Sequence, residues 1–145
     1  ISESFFHWFF LSQKEPLPEN LINNHKRFYM ESMLGRLNNT NNFLEKNVLE
    51  TYIKKFTKTS IHASCEDYRA GSTIDLIHHK IDENKIECPT LVLWGKNSLV
   101  GKNFEPIKVW KSFAKNLIGK ALSGGHYLPE ENPSEVASQI LIFLK

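Results

Sequence analysis

Cysteine is scarce in this 145-residue chain: there are only Cys65 and Cys88, with no CxxC pair and no secretory segment ahead of them. A disulfide framework is therefore not expected, and the chain reads as a reduced, cytoplasmic protein. Long apolar runs are missing as well. The strongest, Phe5 to Leu11, contains His7 and falls far short of the roughly 20 residues a membrane span needs. No excess of one charge exists: 18 Lys and Arg stand against 16 Asp and Glu, scattered among one another, for a net +2. That excludes a nucleic-acid stripe or an anionic-membrane patch and favours a small or neutral partner. No Gly-x-Ser-x-Gly or Gly-x-Asp-x-Gly elbow occurs, so no nucleophile of that kind can be assigned. His62, His78 and His79 present no ligand geometry, because adjacent residues such as His78 and His79 do not share a helix face; no metal and no cofactor are expected. Finally, the sequence opens at Ile1 and its first methionine is Met30. It reads as a chain cut from something longer.

What is present suits one modest core: 41% hydrophobic residues, with Trp8, Trp94 and Trp110. Up to about Asp82 the chain is helical in character, with about five segments. Phe43, Leu44, Val48, Tyr52, Ile53 and Phe56 show the three- and four-residue spacing best. Pro16 and Pro18 punctuate the first connection, and Asn38 to Asn42 reads as a loop because short amides compete for the helix's own backbone groups. The longest helix is expected from near Ser60 to Ile81, burying Ile61, Cys65, Tyr68, Ile74, Ile77 and Ile81, although Gly71 weakens its middle.

The character changes at Cys88-Pro89. Thr90 to Trp94, ended by Gly95, suits a parallel strand covered on both faces. A helix from about Pro106 should turn Val109, Trp110, Phe113, Ala114 and Leu117 inward. Lys120 to Ser123 reads as a second strand, and Gly124-Gly125-His126 as a tight turn beyond it. Asn132-Pro133-Ser134-Glu135 then starts a last helix with Val136, Ile140, Leu141 and Leu144 buried. This β, α, β, α order is a piece of a doubly wound parallel sheet, whose ligands sit beyond the carboxyl ends of the strands. Two such strands alone would leave an apolar edge uncovered. A histidine on a glycine turn at that end is placed to act as a general base.

Gly124 to Glu131 resembles the last motif of α/β-hydrolases, and Leu91 to Gly95 resembles the strand before it. Many of those enzymes carry the triad acid in the loop after that strand. Here the loop reads Lys96 to Gly101 and holds no carboxylate. Haloalkanoate-type members are similar in taking the acid from an earlier strand, which would lie ahead of Ile1. Two further passages narrow the likeness: Phe6 to Gln13, followed by Pro16 to Ile22, resembles the first cap segment of haloacetate and fluoroacetate dehalogenases, and Cys65 to Gly71 resembles a later cap helix of the same enzymes.

The resemblance implies a partial α/β-hydrolase fold. A helical cap would span residues 1–84, followed over 85–145 by the last two parallel strands of the core and their helices. It implies hydrolysis of a carbon–halogen bond through an aspartyl ester, with His126 activating water and with His7, Trp8 and Tyr68 donating hydrogen bonds to the departing halide. The nucleophile, the triad acid and the groups that grip the substrate would belong to an N-terminal half. This chain alone should have no dehalogenase activity. Some fluoroacetate-degrading members have another cap tryptophan at the position aligned with Leu37, which leaves halide size preference open. Members often pair, so a homodimer is admitted, though no residue argues for an interface. Arg69 reads as a partner of a carboxylate such as Glu66. Two alternatives stand beside this reading: an epoxide hydrolase, whose cap tyrosines protonate the epoxide oxygen, and a non-catalytic product of a split or degraded gene.

Overall fold

A computed structural model describes residues 5–36, 44–81 and 84–145. The chain divides into two compact units, one drawing on Ile1–Arg36 and Glu45–Glu83, the other on Leu37–Leu44 and Asn84–Lys145. The expected loop from Asn38 to Asn42, and Phe43, lie outside the described residues.

The first unit is helical: α1 (Phe6–Leu11), α2 (Leu17–Asn24), α3 (Lys26–Arg36), α4 (Lys46–Lys55), α5 (Lys58–Gly71) and α6 (Ile74–Ile81). At its centre α5 packs on α1 and α2. Its start is fixed by Thr57 and Ser60, each side chain accepting from the other's backbone N–H, which satisfies two amides that the helix cannot. Ile61 and Cys65, one turn apart, are wholly enclosed with Ile22 and Leu11, while Phe10, Tyr29, Phe56 and Tyr68 pack around them. This buried set is what holds α1 in place, since α1 is only six residues long and has no side-chain cap.

The long helix expected from Ser60 to Ile81 is instead two. It stops at Gly71, and the hydroxyls of Ser72 and Thr73 both donate to the Arg69 carbonyl, taking up an acceptor left over at the helix end. The expected buried face breaks there too. Ile61 and Cys65 are buried and Tyr68 half-buried, but Ile74, Ile77 and Ile81 of α6 are exposed.

In the second unit β1 (Thr90–Gly95) pairs in parallel with β2 (Leu117–Leu122), in register from Thr90 with Leu117 to Gly95 with Leu122. α7 (Leu99–Asn103) and α8 (Pro106–Trp110) connect them, and α9 (Leu128–Glu131) and α10 (Pro133–Phe143) follow. Three expectations change. β2 begins at Leu117 rather than Lys120, because pairing with β1 claims residues that helical spacing had assigned to α8. The helix itself ends at Trp110, leaving Ala114 buried and Val109, Trp110 and Phe113 exposed. The stripe on α10 is uncovered among the described residues: Ile140, Leu141 and Leu144 are exposed, and β1 is only half-buried. Asn132 does not cap α10 through its side chain; its amide donates to the Ser123 carbonyl (2.8 Å) and to Glu135 (2.7 Å), tying the helix start to the end of β2.

Candidate active site

His126 is held by the turn after β2. Gly124 has φ of +146°, a conformation that side chains resist, so glycine is required there. Gly95, at the end of β1, is required for a different reason: a Cβ would run into the backbone oxygens of Gly124 and Gly125. The two strand ends thus touch backbone to backbone, and the Asn97 N–H donates to the Gly124 carbonyl at 3.0 Å. The loop after β1 is pinned by Ser98, which is buried and donates to the Gly95 carbonyl (2.7 Å) while accepting from Gly101 N–H (2.9 Å).

A residue that the sequence left without a role completes this turn. The Glu131 carboxylate accepts from the N–H of Gly125 at 2.5 Å and from the N–H of Tyr127 at 2.9 Å. His126 lies between those two amides. Its imidazole keeps solvent access, yet the crowding of surrounding atoms holds its pKa below the usual 6.5, opposed by the negative charge of Glu131. The ring meets that of Tyr127 edge-on, with centroids 5.2 Å apart.

His7, Trp8 and Tyr68 belong to the first unit. His7 is buried on α1 and its ring stands edge-on to Tyr68 of α5, centroids 5.8 Å apart and planes at 82°. Trp8 is 56% exposed and packs edge-on against Phe5. Trp8 and Tyr68 line one cavity of about 420 Å³ together with Asp67, Ser72 and Asp75. His7 does not line it. Burial pushes the Tyr68 phenol above its ordinary pKa of 10, and the Asp67 charge adds to this, so at neutral pH it remains an O–H donor.

Beneath this group lies an ion-pair network that the sequence showed only in part. Arg69 pairs with Glu66, as expected from their spacing, but it also donates to Glu19 of α2 (2.8 Å) and to the Gln13 carbonyl (2.9 Å). Hydrogen bonding to Arg69 is the main reason the Glu19 carboxyl lies below the usual carboxylate pKa, despite its burial. His62 Nδ1 stands 3.4 Å from the same Glu19 oxygen and 3.9 Å from Glu15. These three are the grouping of metal-binding type among the described residues. The Arg69 guanidinium already supplies the positive charge there. His78 and His79 are exposed on α6. Cys65, enclosed, and Cys88, exposed, are both free thiols, and burial pushes Cys65 up to about 11. No described helix is long and apolar enough to cross a membrane.

No family model matches the sequence. Among individual proteins, the chain is 33% identical over 147 residues to a fluoroacetate dehalogenase from Burkholderia sp., covering 99% of this chain and 48% of that protein. It is 27% identical to a soluble epoxide hydrolase from Corynebacterium sp. (strain C12), covering 94% of this chain and 48% of the relative. Of solved structures, a provisionally named alpha/beta hydrolase from Nostoc sp PCC 7120 superposes with a TM-score of 0.93 at 39% identity, over 99% of this chain and 50% of that one. A provisionally named epoxide hydrolase from Pseudomonas aeruginosa gives 0.89 at 31% identity, over 99% and 49%. The chain spans about half the length of the relatives it matches.

Proposed function

We propose that this chain, which has the fold of the C-terminal half of an α/β-hydrolase, forms the cap and last core strands of a haloacetate dehalogenase. In this reading an aspartate from the other half attacks the carbon bearing halogen; the ester C–O bond forms as the carbon–halogen bond breaks. The halide departs towards the N–H and O–H groups of His7, Trp8 and Tyr68. Donors held in place before the anion develops need little reorganisation, which is the usual source of such stabilisation. His126 then takes a proton from water, and the resulting hydroxide equivalent attacks the ester carbonyl, releasing the hydroxyacid and restoring the aspartate.

What supports this reading is the proximity of side chains from α1 and α5: the His7 ring stands edge-on to Tyr68, and Tyr68 and Trp8 line one cavity. The likeness to a fluoroacetate dehalogenase agrees with it. The test is to co-express the chain with the N-terminal half of a close relative and measure halide released from fluoroacetate and chloroacetate, with His126→Ala as control. Release that vanishes in the control supports the reading, and a folded complex that releases none refutes it.

A second reading has its own observation. Asp67 and Asp75 line the cavity that Trp8 and Tyr68 share, and two carboxylates are poor company for a departing anion. A neutral epoxide, its oxygen protonated by Tyr68, would not meet that repulsion. Diol formation from an epoxide by the same complex, without halide release from haloacetates, would select this alternative; neither activity would leave a non-catalytic fragment.

A further inference from the structure

We propose that Glu131 is the positioning residue of the histidine turn: its carboxylate grips the peptides on both sides of His126 and sets a fixed negative charge beside the imidazole. The two oxygens are used separately, Oε2 by the Gly125 N–H at 2.5 Å and Oε1 by the Tyr127 N–H at 2.9 Å. Hydrogen bonds to an ionised acceptor are the stronger kind. They act where the backbone most needs them, because Gly124-Gly125 is the most permissive dipeptide of the turn and Gly124 sits at positive φ. Glu131 belongs to the first turn of the four-residue α9, and its bond to the N–H of Tyr127, the residue before that helix, places the carboxylate at the helix start, so the same group that holds the turn also caps α9.

The charge has a second effect. Crowding disfavours the imidazolium, and Glu131 is the charged group that works against this at His126. The neighbouring Tyr127 ring meets the imidazole edge-on. A base that crowding alone had weakened would take a proton from water less readily, so the carboxylate keeps it nearer to the operating pH. This consequence for turnover rests on the reading of His126 as the water-activating base; the clamp itself does not.

The experiment uses the chain as it stands. The His126 ring proton is assigned by its loss in His126→Gln, and its titration is followed by NMR in the wild type, Glu131→Gln and Glu131→Asp. Removing the charge in Glu131→Gln should lower the His126 midpoint by about half a pH unit, the scale of one partly screened neighbouring charge. Glu131→Asp keeps the charge but cannot reach both amides; its midpoint should stay near the wild-type value while the Gly125 and Tyr127 amides exchange faster with solvent. Far-UV circular dichroism verifies that both variants fold. An unchanged midpoint in Glu131→Gln, or unchanged exchange at both amides in Glu131→Asp, overturns the proposal. If His126→Ala in the complemented complex still turned over, the functional reading would fall while these NMR results would still decide the clamp.

Discussion

At the residue scale, the two groups assigned to proton chemistry are shifted in directions that suit their parts. The Tyr68 phenol is raised, so it stays a donor, and the His126 imidazole is lowered, so it stays a neutral base. For His126 the folded value lies below the ordinary 6.5 of an unfolded chain. Its contribution to stability is therefore fully present above the unfolded value and is lost as pH falls through the lower folded one. NMR titration of the native chain should give a His126 midpoint below 6.5, and a midpoint at or above it would mean that the ring is not desolvated. The histidine itself was legible in the sequence, since strand, Gly-Gly and His follow one another along the chain. Glu131 was not. Nothing in its spacing says that a carboxylate five residues on will fold back over the turn.

At the element scale, Arg69 joins α5 to α2 and to the end of α1, and so fixes the helices that carry Tyr68, His7 and Trp8. Arg69→Met should destabilise the first unit by about 2 kcal/mol, the cost of leaving a largely buried Glu19 carboxylate without its charged partner, discounted for residual solvent at Arg69. Urea unfolding measures this, with Glu66→Gln as a control expected to change little because Glu66 faces solvent. A loss no larger than the control's would refute the clamp. The Glu19 carboxyl is depressed in the folded chain, so the stabilisation is present above its unfolded value near 4.5 and fades as pH drops through the folded one. The helices on either side of this link were readable from periodicity, but their ends were not. Gly71 was seen as a weak point, yet whether the helix broke depended on Ser72 and Thr73 finding the Arg69 carbonyl.

At the scale of the whole molecule, apolar surface left open within the units dominates. Leu141 of α10 and Leu144 just after it are 62% and 72% exposed, and Ile118 of β2 is 57% exposed. Apolar surface of this extent promotes association. The double variant Leu141→Lys, Leu144→Lys should stay monomeric to higher concentration than the wild type, as judged by light scattering, with unchanged circular dichroism. Equal association in both would place the sticky surface elsewhere. The near-balance of charge, +2 over the chain, gives little electrostatic protection against it.

The sequence alone determined the helical first part, the two strands in their order after it, and the resemblance that follows from them. Helices were written in three- and four-residue spacing, β1 in a short apolar run, and the His126 turn in two adjacent glycines, all of them local signals carried by neighbouring residues. Only tertiary structure decided what depends on groups far apart in the chain. Pairing with β1 drew Leu117 into β2, the separation of α6 from the core left Ile74 and Ile77 exposed, and Arg69 of α5 met Glu19 of α2 and the Gln13 carbonyl in the connection after α1. Those outcomes follow from which surfaces and charges find partners in space, and residue spacing carries no record of that.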